Sequence, residues 1–186
     1  AYTYTAQREA VELTLVDRLA RVPAVFMVCR IPPRGHHDYY AAELLSAIVG
    51  DGASSRLACA LVDTGLATVA SSTTLDNLGP SLFYVVLIPN PGVEIAELVR
   101  IYDEEMARIQ AEGVTDTELS KAINTTLTFR IGGLQDALGL AESVQEANLY
   151  LNDPHAVLAE LDHYRAVTAA DIRRVVDEYL SPASRN

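Results

Sequence analysis

Cysteine, tryptophan and basic side chains are scarce in this chain of 186 residues, which has two Cys, no Trp, and 14 Lys plus Arg against 25 Asp plus Glu, a formal net charge of −11. Two cysteines without a C-x-x-C spacing exclude a disulfide framework and a zinc ribbon. Cys29 falls in an apolar strand-like run and Cys59 in a helical one, so both are expected as buried free thiols. The basic residues form no run longer than Arg173-Arg174, which argues against a nucleic-acid or anionic-membrane surface. The acidic excess is spread over helical polar faces and reads as solvated surface. No segment approaches the ~20 apolar residues of a membrane span, and no secretory signal pattern is visible.

What is present is a core. With 49% hydrophobic and 21% charged residues the chain can bury a single globular domain over residues 1–186. Residues 11–16 alternate apolar and polar side chains, the period of a half-buried strand, and residues 24–31 form an apolar run bounded by prolines. Asp38 is a plausible N-cap for a helix carrying Leu44, Leu45, Ile48 and Val49. Gly50-Asp51-Gly52 ends that helix, and a short one follows from Ser54 or Ser55 to Gly65. Residues 66–74 and 81–88 read as a hairpin around Asp76-Asn77-Leu78-Gly79. After Pro91 the periodicity is helical. One helix ends at Gly113, and a Thr115/Glu118 capping box opens the next, interrupted at Gly132-Gly133. Further helices are expected over 134–151, from Asp153-Pro154 carrying Val157, Leu158 and Leu161, and from Thr168 with its Asp171. The fold class is therefore α+β, a largely antiparallel sheet of about four or more strands with helices mainly on one face and a helix-rich C-terminal half. The chain starts at Ala1 and stops at Asn186 where a strand could follow, so it is expected to be a fragment of a longer two-domain chain that lacks a final strand.

The residues that could carry chemistry form no self-contained site. Catalytic zinc needs three protein ligands, but His36 and His37 are adjacent, and His155 and His163 lie eight apart on an expected helix. Neither H-E-x-x-H nor H-x-x-E-H occurs, and no G-x-S-x-G nucleophile elbow is present. Residues 50–56 could cradle a phosphate, but they lack P-loop spacing and follow a helix, so a tight helix-to-helix turn is the favoured reading. Asp103-Glu104-Glu105 and Asp116 with Glu118 fall on outward helix faces, where solvation explains them. No catalytic and no metal-binding residue is assigned.

The stretch 35–57, with Gly50-Asp51-Gly52-Ala53-Ser54-Ser55-Arg56-Leu57 and then Gly65-Leu66-Ala67, resembles the opening of the second domain of the pitrilysin or insulinase-type zinc peptidases, the inverzincins, family sixteen of the metallopeptidases. Gly113-Val114-Thr115-Asp116-Thr117-Glu118-Leu119 is similar to the family's later helix start. The resemblance covers almost the whole chain and extends to mitochondrial processing peptidase. It implies a bacterial metallopeptidase whose first half carries zinc on H-x-x-E-H plus a distant Glu, and whose zinc-free second half closes the chamber and holds unfolded peptide. This chain resembles that second half. The implied partners are the homologous catalytic half, fused or separate, and a peptide substrate. Zinc belongs to the other half, the chain alone should be inactive, and a dimer, a periplasmic or a cytoplasmic setting all stay open. Active members offer an Arg and a Tyr to the peptide, whereas Val62 and Thr68 stand at the matching positions here. Substrate contact is then expected through the backbone of Leu66, Ala67, Thr68, Val69 and Ala70, by strand addition at a sheet edge. The alternative is an inactive scaffold or assembly subunit of the same fold, like the core subunits of respiratory complexes.

Overall fold

A computed structural model describes residues 9–186. Three strands, β1 (Val25–Ile31), β2 (Ala67–Leu75) and β3 (Ser81–Pro89), form an antiparallel sheet in the order β1-β3-β2. Among the described residues, six α-helices accompany it: α1 (His37–Gly50), α2 (Ile95–Glu112), α3 (Asp116–Gly133), α4 (Ala137–Leu151), α5 (Glu160–Ala166) and α6 (Ala169–Tyr179). A π-helical turn, Ala58–Val62, bridges α1 and β2.

Strands β1 and β3 bury every second residue along most of their length. Met27, Cys29 and Ile31 of β1 and Phe83, Val85 and Leu87 of β3 point into the core, and their neighbours do not. Helix α1 lies across this inner face and is itself enclosed by α3, α5 and α6, so Tyr39, Tyr40, Leu44, Leu45 and Val49 are all buried. The fold class is the α+β arrangement expected, with helices on one face and an open face opposite.

Helix α1 reaches the sheet so closely at its C-terminal end that only glycine fits. A Cβ on Gly50 would sit 2.1 Å from the Ser72 amide nitrogen and 2.5 Å from its Oγ. The same approach lets the Ser72 hydroxyl donate to the Ser46 carbonyl at 2.9 Å, which ties α1 to β2.

Several expectations are corrected. Residues 11–16 form no strand, and Leu13 and Leu15 are 88% and 86% exposed. Their alternation finds no layer to cover it, and the Val11 amide donates only to the Arg185 carbonyl, at 3.2 Å. The sheet among the described residues accordingly has three strands rather than four or more. Arg185 and Asn186 lie along the outer edge of β1, where Val28 and Asn186 exchange backbone hydrogen bonds of 2.8 and 2.9 Å. The cap of α1 is His36, not Asp38, which is buried in the first turn. Residues 154–159 turn rather than coil, and the helix starts only at Glu160. Cys59 is exposed, because the π-turn widens the helix and rotates this position outward. Glu105 is buried, not solvated.

Replacing Gly50 with Ala is expected to cost about 2–3 kcal/mol of stability, because the added methyl meets backbone that cannot give way. A urea unfolding midpoint unchanged from wild type would contradict this close contact.

Candidate functional site

The residues expected to hold peptide lie at the start of β2. Leu66 is pinned on both sides: its amide donates to the Leu61 carbonyl at 2.9 Å and its carbonyl accepts from the Asn90 amide at 2.9 Å. Asn90 also donates its side-chain amide to the Gly65 carbonyl at 2.7 Å and accepts the Thr68 hydroxyl at 2.7 Å. Ala67 pairs with Pro89 and Val69 with Ile88, leaving Thr68 as the extra residue of a β-bulge. The bulge explains why Ala67 and Ala70 are both buried although they differ by an odd number of positions. Beyond it Val69, Ser71, Thr73 and Leu75 lie on the open side, while Ala70 and Ser72 face the helices. Val62, at the family's Arg position, is exposed at the end of the π-turn.

Strand β2 pairs only with β3, so no further strand among the described residues occupies its other edge. Its nine residues, ATVASSTTL, include no charged side chain and no proline. Those are the usual devices by which a sheet edge refuses another strand. The open sheet face beside it is apolar except for Arg30, Ser71 and Thr73. Cross-strand rows run Phe26, Val86, Ser71; then Val28, Tyr84, Thr73; then Arg30, Leu82, Leu75. Phe26 is mostly exposed, and Leu82, Tyr84, Val86 and Ile88 are half-buried.

A buried ionic frame fixes this sheet against the helices. Arg34, in the loop between β1 and α1, places Nε and Nη2 on the two carboxylate oxygens of Glu160, both at 2.7 Å. Its Nη1 donates to Glu146 of α4 at 2.8 Å and to Asp76, at the end of β2, at 3.2 Å. Asp76 also accepts the Tyr39 hydroxyl at 2.5 Å. Burial opposes the charge on both partners, but their mutual hydrogen bonds outweigh it, holding Glu160 below and Arg34 above their ordinary ranges. A second pair, Arg130 of α3 on Glu43 of α1 at 2.7 and 3.0 Å, shares Glu43 with the Tyr164 hydroxyl at 2.6 Å.

The loop 50–56 holds a structural ion pair rather than a phosphate cradle. Arg56 donates to both oxygens of Glu118, at 2.7 and 3.0 Å, across the N-terminus of α3. Those bonds, helped by the Thr115 amide and hydroxyl, draw the Glu118 carboxyl down to about 2. Glu105 in turn pairs with Arg108 at 2.7 Å.

Zinc does not fit the side chains present. His36 caps α1, His37 contacts Asp171 at 3.1 Å and His163 stacks on Tyr40 with ring centroids 4.8 Å apart, so the three serve separate purposes. Among the described residues no three metal-ligating side chains converge. Burial pushes the Cys29 thiol up to about 11, which disfavours the thiolate a metal would need. No helix among the described residues is long and apolar enough to cross a membrane.

An α+β domain with a helix-backed sheet, a largely apolar open face and an edge without charge or proline is the class defined by these features. Residues 4–126 match the Peptidase M16 inactive domain, and the chain belongs to that family. Over 172 residues it is 24% identical to an uncharacterized zinc protease of Mycobacterium tuberculosis, covering 91% of this chain and 39% of that protein. It is 28% identical over 152 residues to the zinc protease PqqE of Helicobacter pylori, covering 81% and 34%. The chain thus spans between a third and two fifths of these curated relatives. In fold it is similar to a protease from Helicobacter pylori, with a TM-score of 0.88 and 22% identity over 97% of this chain and 44% of that one. An inactive peptidase domain from Bordetella parapertussis superposes with a TM-score of 0.81 and 24% identity over 92% and 91% of the two chains.

Replacing Arg34 with Met leaves the Glu160 carboxylate buried without its partner and is expected to cost about 3–5 kcal/mol by denaturant unfolding; a loss below 1 kcal/mol would contradict the frame. Glu118 has a depressed folded pKa, so its contribution is fully present above its unfolded value near 4.5 and is lost as the pH falls toward about 2. Arg56→Gln is expected to flatten that acid limb of a stability–pH profile, and an unchanged limb would assign the shift elsewhere.

Proposed function

We propose that this chain is the non-catalytic half of a zinc-dependent metalloendopeptidase, which closes a substrate chamber and holds unfolded peptide. The observation that carries the reading is the free, uncharged, proline-free edge of β2 beside an open apolar sheet face. An extended peptide can complete the unmet backbone hydrogen bonds of such an edge whatever its side chains are, which suits a protein that must grip varied sequences. Apolar side chains of the peptide would then rest against Val69, Leu75 and Ile88. The homologous companion half would hold the zinc and perform the hydrolysis, and the relatives' name of zinc protease supports that division.

Because Leu66 and Thr68 are engaged by Leu61 and Asn90, the grip extends from the expected Leu66 to Ala70 segment toward Leu75. The scaffold reading is favoured by Val62 and Thr68, which replace the side chains that active members of the family offer. It has no use for an unguarded edge.

The test is binding of an extended apolar decapeptide, followed by fluorescence anisotropy, against the same peptide N-methylated on alternate amides. Methylation in the register that faces β2 is expected to weaken binding at least about tenfold, since each lost hydrogen bond contributes about 1 kcal/mol. Methylation in the other register should leave affinity intact. Equal affinity for all three peptides, or no binding, would overturn the strand-addition reading. Chelator-sensitive peptidase activity that appears only when the companion half is present would support the enzyme over the scaffold.

A further inference from the structure

The end of β2 at which the expected peptide grip begins is held by a residue outside that strand. Asn90 directly follows β3 and stands between Pro89 and Pro91. Pro89 pairs with Ala67 but has no N–H to give it, so the ladder between β2 and β3 lacks a rung where β2 starts. Pro91 restricts Asn90 to extended backbone. Two bonds then fix that backbone: the Asn90 amide donates to the Leu66 carbonyl at 2.9 Å, and the Asn90 carbonyl accepts from the Val93 amide at 3.1 Å.

The side chain, so placed, is a two-pronged clamp. Its Nδ2 donates to the Gly65 carbonyl at 2.7 Å and its Oδ1 accepts the Thr68 hydroxyl at 2.7 Å. Gly65 has a φ of +76° and Thr68 is the extra residue of the bulge, so one side chain spans both the left-handed turn into β2 and the irregularity that follows. A bulge residue is left out of the ladder. Thr68 is also exposed, and the contact with Asn90 takes the place of packing. Farther along, β2 is held by other means, through the Ser72 hydroxyl on the Ser46 carbonyl and the close approach of Gly50.

We infer that Asn90 is a positioning residue for the peptide grip: acting through Thr68, it sets where the pairing edge begins and limits the gripped stretch to about seven extended residues, those that face Val69 to Leu75. The inference rests on the strand-addition reading above. A strand end that frays offers its last amides and carbonyls only part of the time, and a peptide that pairs there must first order them. With Asn90 in place that order exists before the peptide arrives. On the far side of Thr68 the Leu66 amide and carbonyl are already committed to Leu61 and Asn90, so the peptide ladder has no continuation in that direction.

The test is fluorescence anisotropy with fluorescein-labelled peptides of alternating valine and threonine, from pentapeptide to undecapeptide, against the wild-type chain, Asn90→Ala, Thr68→Val and Thr68→Ser. For the wild type, affinity is expected to rise up to the heptapeptide and then level off. Asn90→Ala should bind the heptapeptide at least about fivefold more weakly, through the loss of rungs beside the bulge, yet bind the pentapeptide as before. Thr68→Val should follow Asn90→Ala, and Thr68→Ser, which keeps the hydroxyl, should behave as wild type. A role in stability alone would weaken every length by the same factor, and that result would overturn the inference. Wild-type behaviour of Asn90→Ala, or a wild-type affinity that keeps climbing to the undecapeptide, would also overturn it while leaving the strand-addition reading intact. No binding at any length, or equal binding of heptapeptides N-methylated on alternate amides in either register, would overturn that reading and this inference with it.

Discussion

The buried charge of Arg34 is the constraint around which the other parts are arranged. A guanidinium with 4% of its side chain exposed is tolerable only if its donors are satisfied. The chain answers with Glu160 from α5, Glu146 from α4 and Asp76 from the end of β2. The loop after β1, the tip of the hairpin and the helical layer are thereby fixed to one group. Hydrophobic burial could be met by many packings, whereas these directional contacts admit few. The sheet can then leave one face and one edge uncovered without losing its position.

That freedom is what the proposed function draws on. A sheet edge offers backbone hydrogen bonds in register, and most proteins block it with charge, proline or short length. Here β2 runs nine residues without such a block, and a bulge pinned by Asn90 marks one end of the free segment. The bulge aligns the strand so that Ala70 and Ser72 face α1 while Ser71 and Thr73 face out.

Most of the fold was legible in the sequence because it follows from apolar runs, periodicity and capping. Apolar runs bounded by proline or turn residues located β1 and β3, and the Thr115/Glu118 and Thr168/Asp171 boxes both form as reciprocal hydrogen bonds. The resemblance in residues 35–57 and 65–67 reached the family that the comparisons show. The Arg34 and Arg130 networks were invisible, since partners 126 and 87 positions apart carry no spacing signal. Residues 11–16 misled for a related reason: alternation reports a half-covered strand only when something covers it. Cys59 misled because a π-turn breaks the 3.6-residue period on which its inward placement relied.

The most direct test of the account is amide hydrogen exchange of the chain with and without a saturating extended peptide. The account predicts slowed exchange at alternate amides between Val69 and Leu75, with β3 unchanged because its amides are already paired. Protection confined to the helices, or none at all, would contradict the claim that the edge of β2 is the peptide-holding surface.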